Sequence, residues 1–239
     1  MSTWCDGEML GFDTETTGVD VTSDRIVSAA LVRRCGTTTD VRTWLIDPGV
    51  EIPTAASSIN GITTELVRAS GARPPVALDQ IAAGIAGAQH AGVPLVAYNA
   101  AYDLALLDNE LARHRLPRLR ERLRTGLRVI DPLLLDRALD PARETPRTLG
   151  DLCLHYAVPT AASLHTADVD VIATLDVLAG IAAAFPRLGE MSLPDLHAWQ
   201  VTTYRDWAEG HNARHAEDGR LPVDPSWPLP AAPPLAAVS

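Results

Sequence analysis

The chain has 239 residues, of which 46% are hydrophobic and 21% charged, so it is long enough for one sizeable core and unlike a disordered chain. Its formal net charge of −10, with 20 basic residues that are all arginine, argues against a protein that coats nucleic acid by bulk attraction. The apolar runs are too short or too charged to span a bilayer, the first residues lack a signal-peptide pattern, and the three cysteines are too far apart to form a metal or disulfide framework. We therefore expect a cytoplasmic protein without a membrane segment.

Three β-forming segments occupy the first fifty residues, at positions 9–14, 26–32 and 41–46. Short polar loops join them, which predicts an antiparallel start to a sheet. Residues 53–67 are punctuated by Ser, Thr and Gly and leave room only for short helical turns.

Beyond these turns, apolar spacings typical of helices alternate with short β-forming runs. The predicted helices are residues 76–90, 101–113, 133–139, 148–156 and 167–185, and the predicted strands are residues 95–98 and 128–130. Strands first, followed by an alternation of strand and helix, predict an α/β domain with a mixed sheet flanked by helices.

The composition changes towards the C-terminus. Pro186 ends the longest apolar helix, and residues 193–215 predict one more amphipathic helix. From Leu221 the chain is rich in Pro and Ala, which is typical of a tail rather than a packed element, although Trp227 could dock on the core. The predicted domains are an α/β domain at residues 1–185, a helical extension at residues 186–220 and a tail at residues 221–239.

The first acidic motif is Asp13-Thr14-Glu15, which follows an apolar β-forming run. On a strand, side chains two residues apart share a face, so the carboxylates of Asp13 and Glu15 point the same way. Two like charges there are unfavourable unless a cation lies between them, and oxygen ligands suit Mg²⁺ and Mn²⁺. A solvated strand end that carries two acids is the alternative.

Two further acidic segments lie at predicted helix starts. Asn99 falls where a strand becomes a helix and Asp103 in the first turn, positions at which Asn can cap and Asp can complement the helix dipole. His165 precedes the longest helix, and Asp170 lies near its apolar stripe, where a partly buried carboxylate needs a partner. A helix start decorated with acids is the alternative, and it is the role we assign to Asp168.

In this order the three segments resemble the motifs of the DEDDh 3′–5′ exonucleases, a family that includes the proofreading subunit of bacterial DNA polymerase III, ribonuclease T and oligoribonuclease. The matching segments are residues 12–18, 99–103 and 165–170, the last in its His rather than its Tyr variant. The segment Asn60-Gly61-Ile62-Thr63 is similar to a His-Gly-Ile segment of the proofreading branch, with Asn60 in place of His. The resemblance covers residues 9–185. It implies a ribonuclease H-like α/β fold, with three antiparallel strands followed by parallel strands, flanked by helices and here followed by a C-terminal helical extension.

The resemblance also implies a catalytic site. Its residues are Asp13, Glu15, Asp103, Asp170 and His165. The four carboxylates would hold two ions, Mg²⁺ or Mn²⁺, roughly 3.5–4 Å apart, and His165 would accept the proton of the attacking water. The implied reaction is hydrolysis of the terminal phosphodiester of single-stranded nucleic acid, which releases 5′-mononucleotides. DNA is favoured over RNA because the first motif looks more like the proofreading branch.

Side chains next to these residues are implied to contact the substrate. They are Thr14, Thr16, Thr17, Asn99 and Tyr102. A turn that serves geometry alone is an equal alternative for Thr16 and Thr17, and Tyr102 could pack in the core instead. Seven arginines within residues 113–128 could contact phosphates, although such charge runs are usually solvated faces.

Two other functions stay open at this point. One is a non-catalytic, exonuclease-like binding module of a DNA replication or repair complex, and the other is an RNA-trimming exoribonuclease. The presence of all five site residues favours an active enzyme, because a non-catalytic copy has no reason to keep four crowded acids. The expected partners are single-stranded DNA or RNA 3′ ends and a polymerase or repair protein, with no membrane partner.

Overall fold

The computed structural model describes residues 4–124, 126–159, 164–216 and 222–230. Residues 217–220 of the predicted extension, and residues 221 and 231–239 of the predicted tail, lie outside the described residues. Within the described ranges, no helix combines the length and the apolar character needed to cross a membrane.

Five strands form one mixed sheet in the order β3-β2-β1-β4-β5. The strands are β1 (Met9–Thr16), β2 (Ile26–Cys35), β3 (Thr38–Leu45), β4 (Leu95–Val96) and β5 (Val129–Ile130). The first three strands pair antiparallel, whereas β4 runs parallel to β1 and β5 parallel to β4. The predicted α/β fold, with antiparallel strands followed by parallel ones, is confirmed.

The described residues also contain ten α-helices and a 3₁₀ turn at Trp4–Asp6. The helices are α1 (Thr54–Asn60), α2 (Thr64–Ser70), α3 (Pro74–His90), α4 (Ala100–Arg113), α5 (Leu119–Arg122), α6 (Pro132–Leu139), α7 (Leu149–His155), α8 (Ala167–Ala184), α9 (Arg187–Glu190) and α10 (Leu193–Arg214). The longer predicted helices agree with these bounds within two residues at each end. Helices α5 and α9 were not predicted because four residues are too few for a periodic pattern.

The alternation of side chains along β1 divides the core into two layers. Leu10 and Phe12 belong to the layer that contains Leu104 of α4. Met9 belongs to the opposite layer, which contains Leu175 of α8. Each face of the sheet is therefore covered by helices, as the apolar character of β2 on both faces requires.

Gly11 allows α8 to pass close to β1. A Cβ atom at Gly11 would overlap the side chain of Val171 and press on that of Leu175. The same alternation that points Gly11 at α8 places Asp13 and Glu15 on the α8 side of the sheet. The close approach therefore decides how near the first turn of α8 comes to these two acids.

Residues 222–230 pack against the domain. Trp227 and Leu229 are buried in the core layer formed by α3 and α4. The Arg120 guanidinium donates hydrogen bonds to the carbonyl oxygens of Leu229 and Pro230, at 3.2 and 2.7 Å. The expectation of an unpacked tail is wrong for these residues, because proline prevents regular hydrogen bonding but not burial of its apolar neighbours. The predicted boundaries at residues 185 and 220 stay predictions.

We expect Gly11→Ala to destabilise the folded protein by about 1–3 kcal/mol, because the added methyl group forces α8 away from β1. Chemical denaturation followed by circular dichroism measures the free energy of unfolding. Gly87→Ala is the matched control, since Gly87 is exposed on α3 and an added Cβ meets nothing within 4 Å. The control should be neutral or stabilise by up to about 1 kcal/mol. Equal stability of the two variants would contradict the close approach.

Candidate active site

Three carboxylates converge where β1 ends and α8 begins. Asp13 and Glu15 come from β1, and Asp170 lies in the first turn of α8. One oxygen atom of each carboxylate lies within 4.8 Å of the other two, and all three residues are half-buried. The structure therefore brings together three of the four acids predicted to bind metal.

The fourth acid, Asp103, is held from the other face of the sheet. It lies in the first turn of α4 and is 4% exposed. Its Oδ1 accepts a hydrogen bond of 2.5 Å from the Oγ1 of Thr14. Asp103 is close enough for its charge to act on Asp13, but it is not one of the three acids within 4.8 Å of one another. Thr14, which was expected to contact substrate, thus orients a carboxylate.

The four acids disfavour one another's charged forms. Burial, and then repulsion from Asp103, Asp170 and Glu15, raises the pKa of Asp13 well above its usual range. Burial and the charge of Asp170 raise the pKa of Glu15 to about 7. Burial raises the pKa of Asp103 to about 7 although the hydrogen bond from Thr14 opposes the rise, and burial also raises the pKa of Asp170.

No arginine neutralises this cluster: none of the ion pairs formed between described residues includes one of the four acids. Crowded carboxylate oxygens are the donor set that hard divalent cations prefer. Mg²⁺ or Mn²⁺ would replace mutual repulsion of the acids by attraction to a shared cation. The residues present therefore fit the predicted metal.

His165 lies beside the carboxylates on the segment that enters α8. Its backbone has a φ of 99°, and its N–H donates a hydrogen bond of 3.1 Å to Oδ1 of Asp170. The residue is exposed, and its charge opposes the rise in the pKa of Asp170. His165, Glu15 and Asn60 line a cavity of about 240 Å³ at this edge of the sheet. The predicted base thus lies next to the carboxylates and is open to solvent.

The hydroxyl groups predicted to contact substrate beyond β1 are engaged within the protein. Thr16 Oγ1 donates to the carbonyl oxygen of Gly18 at 2.6 Å, and the Tyr102 hydroxyl donates to the same oxygen at 2.6 Å. Thr17 Oγ1 donates to Oδ1 of Asp24 at 2.7 Å. These bonds fix the turn after β1, which is the structural role considered as the alternative for Thr16 and Thr17. Contact of Thr16, Thr17 and Tyr102 with substrate stays a prediction.

Asn99 occupies the residue before α4. Its backbone is left-handed, with φ 56° and ψ 45°, a conformation that Asn tolerates. Its side chain is exposed and makes no capping hydrogen bond, so the interpretation of Asn99 as a side-chain cap is wrong. Asp131 supplies the cap instead: its Oδ1 accepts from the Asn99 N–H at 3.0 Å and its Oδ2 from the Ala100 N–H at 2.9 Å.

The sequence reasoning missed what two buried polar residues do. An acid directly before Pro132 predicts a helix cap, and Asp131 does cap α6. The sequence does not indicate that Asp131 also bonds the start of α4. Burial raises the pKa of Asp131 to about 6 although four backbone N–H groups oppose the rise. Asn60 accepts a hydrogen bond of 2.9 Å from the N–H of Ile62, and a hydrogen bond from Asn60 opposes the rise in the pKa of Glu15.

The arginine-rich segment is largely used within the protein. Four of its seven arginine side chains contact carboxylates or carbonyl oxygens. The contacts are Arg113 with Glu110, Arg118 with Asp108, Arg120 with Leu229 and Pro230, and Arg122 with Asp79. These contacts support the structural interpretation of the segment.

The sheet, with acids clustered at the end of its first strand, defines a ribonuclease H-like fold. A family model described as Exonuclease (RNase_T) matches residues 10–178, a range that contains all five predicted catalytic residues. The chain therefore belongs to this family of exonucleases. The membership of the exonuclease family expected from the motifs is confirmed.

Known relatives agree with this assignment. The chain is 29% identical over 168 residues to a PolC-type DNA polymerase III of Lacticaseibacillus paracasei, which covers 70% of this chain and 11% of that protein. It is 32% identical over 164 residues to the Streptococcus thermophilus protein of the same name, covering 68% of this chain and 10% of that one. The chain thus spans about a tenth of the length of these relatives.

A solved structure supports the fold. E. coli exonuclease I in complex with a dT13 oligonucleotide matches with a TM-score of 0.63 and 22% identity, over 76% of this chain and 42% of that one. At this level of identity the likeness shows the fold.

We expect the free energy of unfolding of the metal-free protein to fall as the pH rises from about 4 to about 7. Glu15 and Asp103 have ordinary pKa values of 4.5 and 3.8, and both are raised to about 7 in the folded state. Between these values the folded state binds more protons than the unfolded state, so deprotonation favours unfolding. Denaturation in EDTA across this pH range measures the effect. At neutral pH, Mg²⁺ should restore part of the free energy of unfolding that is lost in EDTA. A metal-free stability that rises over this range would contradict the crowded site.

Proposed function

We propose that this chain is a metal-dependent 3′–5′ exonuclease that releases 5′-mononucleotides from single-stranded DNA ends. The observation that carries the proposal is the meeting of Asp13, Glu15 and Asp170 within 4.8 Å, with Asp103 and His165 beside them. Membership of the exonuclease family supports the same reaction.

Asp13, Glu15, Asp103 and Asp170 are the residues that would hold two ions, Mg²⁺ or Mn²⁺. When bound, such ions supply a water molecule that ionises near neutral pH and positive charge for the developing negative charge at phosphorus. Burial raises the pKa values of all four acids, and repulsion from neighbouring acids adds to the rise at Asp13 and Glu15. A bound metal would supply a countercharge that favours the ionised carboxylates.

The chain's own residues orient these ligands and move the proton. Thr14 fixes the carboxylate of Asp103 through its hydroxyl, and Asn60 contacts the carboxylate of Glu15. The imidazole of His165, exposed beside Asp170, accepts the proton of the attacking water at a ring nitrogen and releases it to solvent.

Single-stranded DNA is the proposed substrate class. The relatives in Lacticaseibacillus and Streptococcus are DNA polymerases, and the structural neighbour from E. coli carries a dT13 oligonucleotide. A polymerase or repair protein as partner and a cytoplasmic location belong to the same proposal. The net charge of −10 favours recognition of a strand end at the metal site over broad attraction of duplex.

Asp13→Asn and Asp170→Asn should each lower hydrolysis more than about 100-fold, since even residues that only orient metal ligands contribute up to that factor. The measurement is shortening of single-stranded DNA labelled at its 5′ end, with Mg²⁺, with Mn²⁺ and with excess EDTA. Asp176→Asn is the matched control, because Asp176 lies on the same helix as Asp170 and pairs with Arg34 at the surface. It should keep wild-type activity.

The same assay separates the other functions. Faster shortening of RNA than of DNA would identify an exoribonuclease. Binding of either strand without shortening would identify a non-catalytic binding module and overturn the proposal.

His165→Asn should lower kcat by about 10²–10⁴-fold and leave the affinity for Mn²⁺ unchanged, because His165 moves a proton and is not one of the metal ligands. Single-turnover hydrolysis and calorimetric titration with Mn²⁺ measure the two quantities. A variant that hydrolyses DNA at the wild-type rate would rule out this base.

A further inference from the structure

The outer edge of the sheet is completed by side chains of the C-terminal extension. Strand β5 is an edge strand, and its outer side faces α10. The Gln200 side chain accepts a hydrogen bond of 2.8 Å from the Asp131 N–H and donates one of 3.0 Å to the Val129 carbonyl oxygen. Nδ1 of His197 accepts from the Val129 N–H at 3.2 Å. The Gln200 amide thus pairs with β5 as a neighbouring strand would, and it is fully buried.

The residue that Gln200 holds is the cap shared by two helices. Asp131 is 4% exposed. Its Oδ1 accepts hydrogen bonds from the N–H groups of Leu133 and Leu134 in α6 and from that of Asn99, the residue before α4. Its Oδ2 accepts a hydrogen bond from the N–H of Ala100 in α4. A carboxylate with four backbone donors fixes the directions of both helix starts relative to β5, which ends at the residue before Asp131.

The first turn of α4 carries Asp103. The position of the Asp103 carboxylate therefore depends on the direction of the first turn of α4. The carboxylate of Asp131 fixes that direction, and Gln200 holds the backbone of Asp131 in place. Gln200 lies outside the residues that match the exonuclease family model, which end at residue 178.

We propose that Gln200 is a positioning residue, through which the C-terminal extension sets the placement of Asp103 for metal binding. The inference rests on the proposed function. It gives the extension a role inside the site, so α10 acts as the last layer of the catalytic domain. A loosened β5 edge lets the start of α4 move, which separates Asp103 from Asp13.

Gln89 provides a matched control, because its buried side chain bonds the backbone at the other end of β5. It is 3% exposed on α3, accepts a hydrogen bond of 2.7 Å from the Arg128 N–H and donates to the carbonyl oxygens of Val93 and Arg128. It therefore holds the start of β5, whereas Gln200 holds the end next to Asp131. Replacing either amide leaves buried backbone groups without partners, so both changes should lower stability alike.

The experiment compares Gln200→Leu, Gln89→Leu and the isosteric Asp131→Asn with the wild-type full chain. Mn²⁺ binding is measured by calorimetry without nucleic acid, beside kcat for DNA hydrolysis and the melting temperature. Gln200→Leu and Asp131→Asn should weaken Mn²⁺ binding about tenfold and lower kcat, whereas Gln89→Leu should lower only the melting temperature. Asp131→Asn keeps the shape of the side chain but cannot accept from both helix starts, so it tests the link if Gln200→Leu does not fold.

Wild-type Mn²⁺ affinity in Asp131→Asn or in folded Gln200→Leu would overturn the inference, as would equal weakening in Gln89→Leu. If the wild-type chain itself neither binds Mn²⁺ nor cleaves DNA, the proposed function fails and the inference with it. If the wild type does both, the proposed function stands and the variants alone decide the inference.

Discussion

The contact between α8 and β1 at Gly11 decides where the acids of this protein meet. Because no side chain separates the two elements at that point, the first turn of α8 lies beside the end of β1. Asp170 is thereby placed against Asp13 and Glu15. The packing of two apolar elements thus forces together charges that repel, and the unfavourable contact persists because the apolar core on both faces of the sheet stabilises the arrangement.

The acids are held in place by neutral groups. Thr14 bonds Asp103, Asn60 contacts Glu15, and a backbone N–H bonds Asp170. Neutral donors fix the direction of a carboxylate without cancelling its charge, whereas an arginine would fix and neutralise it at once. No arginine in the described part of the chain therefore competes with a divalent metal for these carboxylates, and their geometry is already set. Arginines elsewhere in the chain pair with carboxylates that take no part in the cluster.

The fold and most of the acids could be predicted because both follow from local patterns. Strand alternation places Asp13 and Glu15 on one face, and a helical stripe locates the start of α8. The roles of Asp131 and Gln200 could not be predicted, because they depend on hydrogen bonds between residues far apart in the chain. Asp131 bonds Ala100, 31 positions away, and Gln200 bonds Val129, 71 positions away. The packing of Trp227 could not be predicted for a similar reason. A proline-rich composition indicates that a segment lacks regular secondary structure, but it does not indicate which apolar surface the segment covers.

These contacts change how the charge of the protein is understood. A net charge of −10 together with an arginine-rich segment would suggest an acidic body with a separate basic binding surface. Instead, Arg113, Arg118 and Arg122 bind acids of the protein, and Arg120 binds the C-terminal segment. Under the proposed function, cations bound by the carboxylates would supply attraction for a polyanion at the site itself. An attraction of that kind acts only within a short distance of the site, since charges in water are screened beyond about 10 Å, and it therefore favours an enzyme that meets its substrate at a strand end.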